Sequence, residues 1–159
     1  MKTFFILLLI VLSSFSGYSQ RLNTTFLNDY SRWQFDGGTI QSTFQNNYNQ
    51  WTFNGDRIQT VFNNDLNRWK IGNEVSIHTV FTNDFEEWVI EGYGKRIRIE
   101  TTFNDDTERW TVSGDADGVI RTVFSREFDR WDIDVDFDGL PNDLQFAIVF
   151  IAVLASINN

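Results

Sequence analysis

The sequence predicts a mostly β fold: about twelve antiparallel strands in meander order, closed into a barrel around a C-terminal apolar helix. Three observations carry that expectation. A Phe and a Trp seven residues apart recur six times. The residues flanking each pair alternate between apolar and polar. The segment Leu144 to Ile157, LQFAIVFIAVLASI, is apolar on every side. A helix with no polar face must be surrounded. At ~1.5 Å per residue it is roughly 21 Å long, too short for an ordinary membrane span of ~20 residues.

The chain opens MKTFFILLLIVLSSFSGYSQ. Lys2 precedes an apolar run from Phe4 to Leu12, and small or polar residues follow to Ser19. This is the pattern of a secretory signal peptide over residues 1–19, with cleavage after Ser19. An uncleaved anchor would need a longer apolar run. No Cys follows, so a lipid-modified N-terminal Cys is excluded and export brings no disulfides. The expected location is secreted or periplasmic. Residues 20–159 are then enough for one domain, with a core drawn from sixteen Phe and six Trp. The net charge of −9 makes phosphate backbones and anionic lipids poor partners.

The six units span residues 20–137. Phe stands at 26, 44, 62, 81, 103 and 124, and Trp at 33, 51, 69, 88, 110 and 131. Such self-similarity is an internal repeat. Before each Phe runs Leu/Ile-x-Thr/Ser, as in Leu22-Thr24-Phe26 and Ile58-Thr60-Phe62, and after each Trp comes an apolar residue two positions on, as in Trp69-Ile71. Period two means strands, and it places Leu/Ile, Thr/Ser, Phe and Trp together on one dry face. Polar residues such as Gln41, Glu100, Arg68 and Arg130 fall on the other.

Asn28-Asp29, Asn64-Asp65, Asn83-Asp84 and Asp105-Asp106 lie between Phe and Trp, and Asp36-Gly37 and Asn54-Gly55 between units. These residues tolerate the positive φ of tight hairpins. A two-residue Asn-Asp loop would put each Thr or Ser opposite the Trp, a small residue facing a large ring. The sixth unit departs, with Ser125-Arg126-Glu127, and the connections Glu91 to Arg96 and Ser113 to Gly118 look longer. Twelve strands spaced ~4.8 Å and tilted ~40° give a barrel about 24 Å across. Its lumen, roughly 12 Å wide, matches one helix, expected over residues 141–158. An open sheet would leave the helix unburied, and a propeller needs ~40 or more residues per blade.

A twelve-stranded barrel closed around a C-terminal apolar helix resembles the tubby C-terminal domain, the layout shared by phospholipid scramblases and LURP-one-related proteins. The tail Leu140-Pro141-Asn142-Asp143-Leu144-Gln145 through Asn159 is similar to that family's ending of Pro, short acidic stretch and apolar helix. The resemblance implies a scaffold. Tubby proteins hold phosphoinositides with basic residues, and this chain has only scattered Arg on an acidic surface.

Asp134, Asp136 and Asp138, followed by Gly139, match the first half of a calcium loop. The scramblase resemblance also implies calcium near the terminal helix. The closing Glu is absent, Gln145 standing at position twelve, with Asp143 the available substitute. The alternative is a strand whose Ile133, Val135 and Phe137 point inward while the aspartates meet water beside a helix N-terminus. Asp115-Ala116-Asp117-Gly118 reads as a turn. His78 sits on the wet face, and no thiol, serine elbow or buried carboxylate pair marks a catalyst. Tyr30, Tyr48, Leu66, Phe85 and Phe128 stand three before Trp at one rim. They pack against neighbouring turns or form an exposed aromatic band. The functional expectation is an exported, non-enzymatic binding or structural module with calcium as a candidate ligand. A lipid-associated protein is the alternative, and an enzyme stands last.

Overall fold

The computed structural model describes residues 19–44 and 47–158. The leader read at residues 1–19 lies outside them except for Ser19. Twelve strands follow in chain order: β1 Gln20–Thr24, β2 Arg32–Phe35, β3 Gly38–Phe44, β4 Asn47–Phe53, β5 Asp56–Thr60, β6 Arg68–Ile71, β7 Val75–Thr79, β8 Glu87–Gly92, β9 Lys95–Thr101, β10 Arg109–Gly114, β11 Gly118–Thr122 and β12 Arg130–Val135. One helix, α1 Asn142–Ile157, closes the chain. Each strand pairs with its sequence neighbours, and β1 pairs with β12, so the sheet is a closed antiparallel barrel. Closure removes every sheet edge.

The register is the one that period-two patterning demands. Thr24 faces Trp33, Ser42 faces Trp51, Thr60 faces Trp69, Thr79 faces Trp88, Thr101 faces Trp110 and Thr122 faces Trp131. Ile58 faces Ile71 and Ile77 faces Ile90. The six indoles point inward, none more than 1% exposed. The helix threads between them and is buried from Phe146 to Ser156. Phe150 meets Trp51 edge-on at 5.7 Å and Trp69 at 5.1 Å, while Phe146 lies 5.2 Å from Phe53. The two edge-to-face contacts of Phe150 suit the ring quadrupoles. Pro141 caps the start, where its missing N–H costs nothing. Ser156, the polar residue near the other end, accepts the Trp131 indole N–H at 3.0 Å and lies 2.8 Å from the carbonyls of Ala152 and Phe128.

The outer wall carries the polar set. Arg98 bridges Glu87 and Glu100 at 2.8 Å each, and Arg21 and Arg121 both reach Asp132. A polar wall around an apolar interior is the reverse of a membrane-spanning barrel. Among the described residues no helix is long and apolar enough to cross a membrane.

Three expectations change. The motif Phe residues are outside the core: all six are between 52% and 63% exposed. Alternation holds only while a strand runs, and five of the six odd-numbered strands stop at the Thr two positions before the Phe. The Asn-Asp connections are seven-residue loops, such as 25–31, centred where a two-residue loop would be; the register therefore survives. The Glu91 to Arg96 connection is a tight hairpin instead. Here β8 and β9 pair as far as Gly92 and Lys95, leaving Tyr93 and Gly94 as the turn, both with positive φ. Asp36-Gly37 and Asn54-Gly55 adopt the same two-residue form with positive φ, as expected.

Candidate functional site

The two rims of the barrel are built differently. At the rim where α1 begins, the hairpins are short. Asp115 carboxylate accepts the Arg96 backbone N–H at 2.7 Å, so Asp115-Ala116-Asp117-Gly118 is a turn with Ala116 tucked inside. The three aspartates of the calcium motif lie at this rim. Asp134 is exposed on β12 across from Val119. Asp136 uses its carboxylate to accept the Asp138 N–H at 3.0 Å, and its own N–H bonds the Asp117 carbonyl. Val135 and Phe137 pack against the core. Asp143 accepts the Tyr93 hydroxyl at 2.7 Å, which also holds that phenol's pKa above its ordinary value. Among the described residues, no three His, Cys, Asp or Glu side chains converge on a point that could hold a metal ion. The structure thus does not bring Asp134, Asp136 and Asp138 together as a ligand set. His78 sits on β7 with Arg68 and Val89 as cross-strand neighbours.

The opposite rim carries five seven-residue loops, 25–31, 61–67, 80–86, 102–108 and 123–129, and these share a construction. The motif Phe opens a β-turn: Asp29, Asp65, Asp84, Asp106 and Glu127 donate their N–H to the carbonyls of Phe26, Phe62, Phe81, Phe103 and Phe124, at 3.1–3.2 Å. The third turn residue has positive φ in Asn28, Asn64, Asn83, Asp105 and Arg126. Unit six therefore makes the same turn from a different sequence. The fourth residue then folds back as an Asx turn: Asp29, Asp65, Asp84 and Asp106 accept the N–H two positions on. The hydroxyl and N–H of Ser31 hold the Asp29 carboxyl below the usual carboxylate range, with Arg32 adding a smaller pull. Each indole N–H bonds the carbonyl three residues before it.

That last bond decides the fate of the residues three before Trp. Tyr30, Tyr48, Phe85 and Phe128 lean on their own indoles at 5.8–6.0 Å. Tyr30, Leu66, Phe85 and Phe128 pack against the core as the rim's lining, while Tyr48 stays exposed and joins the motif Phe residues in the exposed band.

Neighbouring loops are also tied together. Asn49 accepts the Asn64 N–H at 3.0 Å, Asn67 accepts that of Asn83 at 2.6 Å, and Glu86 accepts that of Asp105 at 3.1 Å. Glu108 does the same for Arg126. Patterning gave no sign of these bonds, because their partners are fifteen or more residues apart. The loops form a braced collar, and the Phe rings stand out from it. Leu27, Val61 and Val80 are exposed on the same rim, and Arg130 lies over the Phe124 ring at 6.0 Å. Burying a Phe is worth ~1.5–3 kcal/mol relative to leaving it in water. All six are left exposed at one end of the barrel, an arrangement that marks a candidate interaction surface.

No protein-family model, curated protein or solved structure matches the chain. Its class rests on its own geometry: a closed twelve-stranded antiparallel barrel plugged by a C-terminal helix.

Proposed function

We propose that this protein is an exported, non-enzymatic binding module on a tubby-like barrel, and that its phenylalanine-bearing rim is the surface that engages a partner. The observation that carries this reading is the exposure of all six motif Phe residues at one end of the barrel. The leader-like start of the chain supports export. The helix occupies the lumen, so contact falls to the outside.

A lipid surface is the second reading, favoured by the confinement of the exposed rings to one rim. Aromatic rings settle at membrane interfaces. The carboxylates of Asp29, Asp65, Asp84 and Asp106 on the same loops oppose anionic headgroups, so zwitterionic bilayers fit best.

The test compares the parent with a Phe62→Ser, Phe81→Ser, Phe103→Ser triple variant in three assays: flotation with phosphatidylcholine vesicles with and without calcium, retention on insoluble polysaccharide, and self-association by sedimentation. The expected result is retention or association of the parent in at least one assay and its loss in the variant. Identical behaviour of the two proteins throughout overturns the rim reading. No flotation under either condition removes the lipid alternative.

A further inference from the structure

The six units are not chemically equivalent. No charged residue occurs between Asp36 and Asp56, the longest such stretch in the repeat region of a chain with 22% charged residues. The difference falls at matched rim positions. Where other units carry Asp29, Asp65, Asp84 and Asp106, the second carries Asn47. Where they carry Arg32, Arg68, Glu87, Arg109 and Arg130, it carries Gln50. Its strands also run further: β3 and β4 pair out to Phe44 and Asn47, past an irregularity after Ser42.

Two adjoining depressions flank the rim end of β4. One, of about 340 Å³, is lined by Asn47, Tyr48, Asn49, Asn64 and Leu66. The other, of about 300 Å³, brings in Phe44, Gln50, Gln59 and Asn63 and shares Asn47 and Asn49 with the first. Among the described residues, no charged side chain lines either depression. Phe44 is 56% exposed and Tyr48 36%. The amides are held in place. The Asn49 side-chain nitrogen donates to Asn47 at 2.9 Å and to Asn64 at 2.8 Å, and Gln50 donates to Thr43 at 3.0 Å. Among the described residues, the side-chain nitrogens of Asn47, Asn63 and Asn64 and both ends of the Gln59 amide make no hydrogen bond. Each primary amide offers two donors and an acceptor on one plane.

Resting on the rim as a contact surface, we infer that units two and three bind a neutral polysaccharide chain through these two depressions. A pyranose presents C–H faces that lie on aromatic rings and hydroxyl pairs that bond an amide at both ends. A carbohydrate without acidic groups needs no cation in the site, and it escapes the repulsion that a net charge of −9 imposes on a polyanion. Two joined, open depressions fit successive sugars of a chain rather than one enclosed monosaccharide. The hydrogen-bonded amides of Asn47, Asn49, Gln50 and Asn64 reduce the ordering that binding requires.

The test is native affinity electrophoresis of the full chain in gels containing laminarin, hydroxyethylcellulose, arabinoxylan or glycogen, with alginate as the polyanionic control. The parent is expected to be retarded by at least one neutral polymer and not by alginate. Phe44→Ser and Gln59→Ala should each weaken that retardation by roughly fivefold or more. Lys95→Ala, beside the Tyr93-Gly94 hairpin at the opposite rim, should leave it unchanged. Gln59 is on the outer wall, so its variant keeps the fold and near-ultraviolet circular dichroism verifies this. No retardation in any neutral polymer, equal retardation in alginate, or insensitivity to both substitutions overturns the inference. If the polymers fail while the Phe62, Phe81, Phe103 variant still loses vesicle binding or self-association, the rim reading stands without a glycan. If Phe103→Ser alone abolishes retardation, binding belongs to the rim at large and not to units two and three.

Discussion

Each unit contributes two large aromatic residues seven positions apart, and they inhabit opposite environments. Trp69 is fully buried against Phe150, whereas Phe62, in the same unit, is 60% exposed. Both are apolar, so hydrophobicity alone does not separate them. What separates them is the backbone beneath. Trp69 sits within β6, where alternation aims it inward, and its N–H finds the Leu66 carbonyl at 2.8 Å. Phe62 opens a turn beyond the end of β5, where no partner strand orients its side chain toward the lumen. The interior aromatic set holds the barrel shut, and the rim set is free to serve contact.

Truncation should expose that contrast most sharply inside. Trp69→Ala or Phe150→Ala is expected to cost ~3–5 kcal/mol, since either leaves a void beside the other ring. Urea unfolding measures it, and a loss below about 1 kcal/mol would mean that the lumen collapses freely around the helix. Ser156→Ala should come next, at about 1–2 kcal/mol, because it removes an internal acceptor for Trp131 while leaving the indole its bond to Phe128. Asn67→Ala unfastens the loops of units three and four. About 0.5–1.5 kcal/mol is expected, since water can replace the partner of the exposed Asn83 N–H. Faster hydrogen exchange at the Asn83 amide is its sharper signature.

Phe62→Ser or Phe81→Ser should change stability by less than about 0.5 kcal/mol while altering binding, the reverse of the Trp69 result. A large destabilisation there would show that the rim rings support the fold. The smallest effect concerns pH. The Asp29 carboxyl is held below its ordinary value mainly by Ser31. Its contribution is therefore present above the unfolded Asp pKa of about 3.9 and lost as pH falls through the lower folded value. The gap in denaturation midpoint between the parent and Asp29→Asn should be seen at neutral pH and close in acid. A gap that widens below about pH 4 contradicts the direction.

Much of this contrast was legible before any coordinates. The Thr-to-Trp register follows from spacing alone, because side chains alternate strictly along a strand. The helix was legible because it has no polar face. Five of the rim Phe residues lie outside because alternation does not extend two residues past the point where pairing stops, and at Phe44 the pairing continues only past an irregularity after Ser42. The positive φ at Asn28, Asn64 and Asn83 turns the chain back four residues after β1, β5 and β7 end. The Asn and Asp there signalled a turn, but not its length. The candidate site shows the same division. The charge-free stretch around Tyr48 can be read from the sequence, but its meeting with Asn63 and Asn64 cannot.

The sequence by itself determined which residues face inward within the paired strands, that the strands pair as neighbours, and that an all-apolar helix needs an enclosure. Each depends on local periodicity or on composition. Only the tertiary structure decided that Leu22 meets Trp131 to close the barrel, that loops fifteen or more residues apart brace one another, and that six Phe rings share one rim. These are facts of closure. A ring brings distant segments side by side, and no short window of sequence contains both partners.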